Sequence, residues 1–357
     1  MPRRYDDFML DLSRYKGLPV LVTGGLGFIG SNLALRLDEL GALVTVVDAL
    51  VPGCGANRAN LAGSKVQLIE ADLSEPGGYE EAIRGAQVVF NLAGEISHIH
   101  SMEYPERDLQ INTISQLRFL DACRRLNRGV RVVYAGTRQV FGKPRYLPVD
   151  EAHPIRPVDF NGVHKYAATM YHLMMSDLGD LDAIVLRLTN VYGPRMSLSV
   201  AGQGFLGVFV RKALLGETIS VFGEGDQLRD PVYVDDVVEA FLSAGLAGQL
   251  TKRECNIGGL EAISLSDIAI ALSGNVEKIP FPEHLQQIDI GSYHTDSSRA
   301  EGLLGWKPRT PFVEGAKKTL DFYRARLSDY LNPEESLRRE LPEHAGVRRR
   351  LVFKAIP

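Results

Sequence analysis

An α/β fold on a doubly wound parallel sheet is predicted by three features of this sequence. Short apolar runs have strand character, amphipathic helical patterns alternate with them, and a glycine-rich turn joins the first run to the first helix. Pro19-Val20-Leu21-Val22 is β-branched and bounded, as a buried parallel strand should be. Thr23-Gly24-Gly25-Leu26-Gly27-Phe28-Ile29-Gly30 follows, then a helical pattern from Ser31 to about Leu40 and a second run, Leu43-Val44-Thr45-Val46-Val47. Gly24 permits a tight turn, Gly27 admits a pyrophosphate close to the backbone, and Gly30 lets helix and strand pack closely. The helix N-terminus offers that phosphate unpaired N–H groups and a positive dipole end. Asp48, after the second run, lies near the offset of the acid that binds adenosine ribose hydroxyls, so the unit reads as a Rossmann-type dinucleotide site.

The alternation continues. Val66 to Glu70 leads into Ala71-Asp72-Leu73, and Val88-Val89-Phe90-Asn91 into Leu92-Ala93-Gly94. A long helical pattern spans about Pro105 to Arg125; the run Val130 to Ala135 and a second long helix, about Val163 to Leu178, follow, then the run Ala183 to Leu188. Ligands of such sheets bind beyond the carboxyl ends of the strands, where the polar residues of this chain fall. Residues 18–189 therefore read as the dinucleotide-binding domain, with residues 1–17 as an extension. Beyond Asn190 the texture turns to Gly-, Pro- and Tyr-rich loops, so residues 190–325 read as a smaller C-terminal substrate-binding region. Residues 326–357 form a charged tail carrying Arg338-Arg339 and Arg348-Arg349-Arg350.

Composition narrows the partners. At 45% hydrophobic and 24% charged residues the chain is an ordinary globular one. A net charge of -4 gives no general attraction to nucleic acid or an anionic membrane. No apolar run reaches spanning length, and Met1 to Asp6 lacks the apolar core of a signal peptide. Cys54, Cys123 and Cys255 stand far apart and in no metal-ligand spacing, as expected of reduced thiols in a cytoplasmic protein without a metal site.

Several motifs together resemble the extended short-chain dehydrogenase/reductase family, and within it the NAD-dependent nucleotide-sugar epimerase/dehydratase branch, in the manner of the UDP-glucose 4-epimerases. They are Thr23 to Gly30, Asp48, Asp72-Leu73, Asn91 to Gly94, Lys165, Leu186 to Pro194, Gln227 to Asp236, and Leu304-Gly305-Trp306-Lys307-Pro308, in order over about residues 18 to 325. The resemblance implies NAD as cofactor, held by Gly24, Gly27, Phe28, Ile29, Gly30 and Asp48. Asp72 and Leu73 would lie at the adenine, and Leu92, Ala93 and Gly94 along the phosphates and nicotinamide. Asn112 would support the cofactor site and Lys165 the nicotinamide ribose. Asn190 and Arg229 would meet the pyrophosphate of a nucleotide-sugar substrate, a task that suits the forked guanidinium; a salt bridge from Arg229 to Asp230 or Asp235 is the competing reading. The family also implies a homodimer through two helices. Met170, Leu173, Met174, Leu117, Leu120 and Ala122 would serve it, although core packing explains the same stripes.

One position departs from the pattern. The family base is a Tyr four residues before the Lys, and here that residue is Asn161, an amide that cannot act as the usual base. Thr137 keeps the place of the hydroxyl that bonds the reacting oxygen. Arg138 and Gln139 replace the acids of a 4,6-dehydratase, which disfavours that reaction. Candidate substitutes for the proton acceptor are His98, His100, His164, Tyr166, Tyr134 and Glu95. His164 points about 60° aside from a face shared by Asn161 and Lys165. His98 follows a strand end, where substrate could pass, and imidazole handles protons near neutrality; a loop histidine satisfied by backbone is the plainer alternative. Gln286-Gln287-Ile288-Asp289 replaces an Arg-x-Gly-Asp phosphate clamp. The expected activity is 4-epimerisation of a nucleotide-hexose by transient oxidation. An atypical dehydratase, a keto-sugar reductase and a non-catalytic NAD- and nucleotide-sugar-binding protein are the alternatives, with Thr137, Asn161 and Lys165 at the centre of the site and His98 against the substrate.

Overall fold

The computed structural model describes residues 11–198, 204–283 and 289–331. Gln286, Gln287, Ile288, Met1 to Asp6 and the arginine-rich part of the tail lie outside them. The strands β1 (Pro19–Thr23), β2 (Leu43–Asp48), β3 (Gln67–Glu70), β4 (Val88–Asn91), β5 (Arg131–Thr137) and β6 (Asp182–Leu188) form one sheet with a seventh, Glu254–Ile257. Every pairing is parallel, in the order Glu254–Ile257, β6, β5, β4, β1, β2, β3. After β3 the chain crosses back to the far side of β1, so the switch of direction falls between β1 and β4, and a crevice opens there at the strands' carboxyl ends. All four residues of β4 are buried, as a sheet covered on both faces requires.

The helices begin where their caps put them. Helix α1 (Phe28–Glu39) starts inside the glycine turn, three residues before the apolar pattern does, because extended Gly27 is its N-cap. Helix α2 (Glu80–Gly85) precedes β4. His98, expected in a loop, opens the short helix α3 (His98–Glu103), capped by Ser97. The long pattern after Pro105 is divided into α4 (Pro105–Leu109), a wide π-type turn Gln110–Ile114 and α5 (Ser115–Leu126). Helix α6 (Phe160–Asp177) starts three residues early because Asp159 caps it, its Oδ1 accepting Gly162 N at 2.6 Å.

The sequence division at residues 189/190 is not a division in space. Glu254–Ile257 completes the sheet, and the helix Val234–Leu246 covers its face, with Phe241 edge-on to Phe90 at 6.2 Å. The N-terminal extension docks on that helix, where fully buried Tyr15 donates its hydroxyl to Leu242 O at 2.9 Å. The rest of the later region has its own core, which includes Tyr192, Phe209, Ile219, Phe312 and Tyr323.

A buried polar chain aligns the strand ends below the crevice. Thr23 Oγ1 donates to Asn91 Oδ1 at 2.8 Å and accepts Leu92 N and Ala93 N. Asn91 Nδ2 donates to Gln116 Oε1 at 2.7 Å and faces His172 Nε2 at 3.1 Å. The other ring nitrogen of His172 donates to Ala168 O, and burial pulls this imidazole down to about 4, so it is neutral and Nε2 accepts. Asn91→Leu keeps the volume and strips Thr23, Gln116 and His172 of a partner each. The expected loss is about 2–4 kcal/mol, read as a lower denaturant midpoint at unchanged slope.

Candidate active site

The crevice holds a cavity of about 320 Å³ that joins two sets of residues. The first is a cradle of bare backbone. Gly24 has φ +66°, and a Cβ on it would lie 2.8 Å from Ala93 N; one on Gly30 would lie 2.3 Å from Gly24 O. Gly27 caps α1 without a side-chain bond, so the first-turn N–H groups stay open beside Phe28 and Ile29, which with the three glycines line the cavity. Asp48 also lines it, although both of its oxygens are in use: Oδ2 accepts Leu26 N at 3.0 Å and Oδ1 accepts Leu50 N at 2.8 Å. Burial raises its carboxyl above the usual range, against those two bonds and Arg58.

Asp72 and Leu73 lie on the same wall, and Leu92, Ala93 and Gly94 on the wall made by the end of β4. Asn112 stands behind that wall instead of lining it. Its amide pairs with both backbone groups of Glu95, accepting N at 3.1 Å and donating to O at 3.0 Å. A dinucleotide fits such a cradle, because the cleared space is space that any Cβ would fill.

The second set comes from the end of β5 and the start of α6. Thr137 Oγ1 accepts Gln139 N at 3.2 Å, which leaves its own hydrogen to donate. Lys165 is buried, its Nζ 5.6 Å from the centre of the Tyr134 ring. Burial brings this amine down to about 8, opposed by the Asp108 carboxylate. Asn161 donates through Nδ2 to Glu95 O and to Asp108 Oδ2, both at 2.9 Å. The backbone carbonyl accepts and never donates, so the amide is fixed in this sense and Oδ1, buried without a partner, is the atom it presents. The other oxygen of Asp108 meets His164 Nδ1 at 2.7 Å.

Of the six proposed stand-ins for the Tyr, His98 lines the cavity and the other five do not. His164 is tied to Asp108, and Tyr134 lies stacked on His172 at 4.1 Å. Tyr166 packs in the cluster of Val140 and Phe141. His100 turns to Glu95 at 3.5 Å, where Arg107 also meets that carboxylate at 3.7 Å while donating to Pro52 O. His98 Nδ1 lies 3.4 Å from Gln139 Nε2. Burial lowers the basicity of His98, as do Arg138 and Arg229, against the pull of Asp159.

Asn190 lines the cavity with a buried, unpartnered Oδ1. Arg229 does not line it. Its guanidinium donates to the carbonyls of Leu228 at 2.8 Å and Gly291 at 2.6 Å and forms no salt bridge to Asp230 or Asp235. Burial and the nearby Arg138 bring it down to about 10. Asp289 accepts Gln227 Nε2 at 3.1 Å.

Sequence reasoning misses two acids. Asp159 carries a readable signal, an N-cap acid three residues before Gly162. Asp108 carries none, since its role depends on α4 meeting α6.

Residues 20–258 match the family described as NAD dependent epimerase/dehydratase. The UDP-glucose 4-epimerase of Mycolicibacterium smegmatis is 34% identical over 314 residues, covering 85% of this chain and 98% of that protein. UDP-glucuronic acid decarboxylase 1 of Xenopus tropicalis is 31% identical over 323 residues, covering 88% of this chain and 74% of that one. The structure of the Thermus thermophilus UDP-glucose 4-epimerase in complex with NAD superposes with TM-score 0.75 at 28% identity, over 86% of this chain and 99% of that chain.

A Cβ on Gly94 would lie 2.7 Å from Asn112 Oδ1, which its two bonds to Glu95 pin, and 2.9 Å from Lys165 Nζ. Gly94→Ala should therefore weaken NAD binding by about tenfold or more, measured by titration of the cofactor-stripped protein.

Proposed function

The chain belongs to the NAD-dependent epimerase/dehydratase family, and from that premise we propose that it epimerises a nucleotide-hexose at C4, with His98 as proton acceptor where the family has Tyr. The observation that carries this reading is the single cavity in which the glycine cradle opens onto Thr137, Lys165, Asn161 and His98. The cradle and the α1 N-terminus would hold the pyrophosphate of NAD, Asp48 and Asp72 its adenosine half, and Lys165 its nicotinamide ribose. When bound, the cofactor supplies reversible hydride acceptance.

The remaining chemistry falls to the side chains. Thr137, already an acceptor from Gln139 N, directs its hydrogen at the reacting sugar oxygen. Asn161 Oδ1 receives a hydroxyl of the ligand and takes no proton. Gln139 orients His98: with Oε1 turned to the ring it accepts Nδ1–H, leaving the Nε2 lone pair for the C4 hydroxyl proton. His98 holds that proton at Nε2 and returns it when the ring has turned over. Its lowered basicity keeps it neutral, and so able to accept, at neutral pH.

The test is turnover of UDP-, dTDP-, GDP- and CDP-hexoses, followed by chromatography and mass. A product of unchanged mass and new retention time supports epimerisation; loss of water would replace it with a dehydratase, and no change with NAD bound would leave a binding protein. His98→Asn should lower kcat by about a hundredfold or more. Activity should rise with pH through a midpoint below 6.5, as His98 loses its proton, and fall again near 8, as Lys165 loses its charge. Undiminished turnover in H98N would return the proton step to another residue.

The same reading includes a homodimer. Phe160, Val163, Met170 and Met174 form one stripe along α6 and are between 42% and 48% exposed, whereas Leu120 and Ala122 of α5 are core. Light scattering should give twice the chain mass, and Met170→Glu with Met174→Glu should halve it.

A further inference from the structure

Arg138 is the unusual charge of this site. It follows Thr137 directly at the end of β5, lines the cavity and is half-buried. Among the described residues its guanidinium forms neither a hydrogen bond nor an ion pair; its contact is the ring of Tyr293, whose centre lies 4.9 Å from Cζ. Two carboxylates are within electrostatic reach, and neither forms a hydrogen bond or an ion pair with it; Asp230 Oδ1 is itself buried without a partner. Asp159 Oδ1 accepts Gly162 N, and Asp230 Oδ2 accepts Thr295 N at 2.9 Å. Burial holds both acids above the usual carboxylate range, Asp230 at about 7, so Asp230 carries only part of a charge against the cation at neutral pH. Arg229, just behind, adds a second positive charge.

A partly desolvated guanidinium without an acceptor is costly, and a ligand anion removes that cost. Stacking on Tyr293 fixes the plane of the group and leaves its N–H edge for a planar, two-oxygen acceptor. The place of that acceptor follows from Thr137. The cofactor phosphates belong to the α1 end of the cavity, whereas Arg138 adjoins the residue that meets the reacting sugar hydroxyl. In a hexuronic acid the C6 carboxylate is carried on C5, next to C4. We propose that the substrate is a nucleoside diphosphate uronic acid whose carboxylate is bound by Arg138. The inference rests on the nucleotide-sugar reading above and adds the sugar class.

The experiment uses the full chain with NAD. Calorimetry with UDP, dTDP, GDP and CDP first identifies the diphosphate bound; its glucose and glucuronic acid conjugates are then compared. The uronic acid should bind about tenfold or more tightly than the hexose, the size of a charge-assisted bond to a desolvated group. Arg138→Gln should bring the two affinities to within about twofold of each other. Equal affinities in the native protein would overturn the inference and leave the nucleotide-sugar reading standing. Failure of all four diphosphates to bind would remove both. A preference that survives in R138Q would overturn the assignment to Arg138. Product mass adds a second readout: an epimer of the uronic acid and a product lighter by one carbon dioxide each support the inference, and turnover confined to the neutral hexose opposes it.

Discussion

The site depends on the registration of strand ends, and hydrogen bonds secure it. Apolar packing alone leaves parallel strands free to slide by small amounts, because van der Waals contact is not directional. The chain Thr23–Asn91–Gln116 with His172 is directional, and every side-chain polar atom in it has a partner within the fold. It locks the end of β1 to that of β4, and both to α5 and α6. The contact between Gly24 and Ala93, too close for any Cβ, is its geometric result. The cradle, the β4 wall and the helix that carries Asn161 and Lys165 are thereby held as one body.

Asp108 plays the corresponding part on the reacting side. One oxygen holds the Asn161 amide and the other holds His164, and its charge opposes the loss of the Lys165 proton. Asn161 is an acceptor fixed by its own supports, the Glu95 carbonyl and the Asp108 carboxylate. In the proposed reaction the proton step lies off α6, on the α3 side of the cavity, where His98 stands against Gln139.

Much of this is readable from the chain. The glycine turn is legible because each glycine answers a local backbone demand, and the parallel sheet because buried strands write continuous apolar runs. Thr137 and Lys165 reach the cavity because linear spacing from a strand end or along a helix fixes where they fall. What is not legible depends on encounters between distant segments. Asp108 and Asn161 are 53 residues apart. The carbonyl partners of Arg229 are not legible either, because those of Leu228 and Gly291 reach its guanidinium by tertiary folding. The return of Glu254–Ile257 to the sheet likewise leaves no local mark, since a short edge strand reads alike in either region.

The inner face of the segment from α4 to α5 is polar at every turn: Asp108 meets Asn161 and His164, Asn112 meets Glu95, Thr113 meets the carbonyl of His164, and Gln116 meets Asn91 and Ala93. A slip by one residue would break all of these bonds together, so this face has little freedom to drift in evolution. Arg138 and Asn190 carry no such structural duty, since each lines the cavity without a side-chain hydrogen bond of its own among the described residues. Inherited change in what the protein recognises is thereby channelled into a few side chains at the ends of β5 and β6, while the frame that aligns them is held by its own bonding.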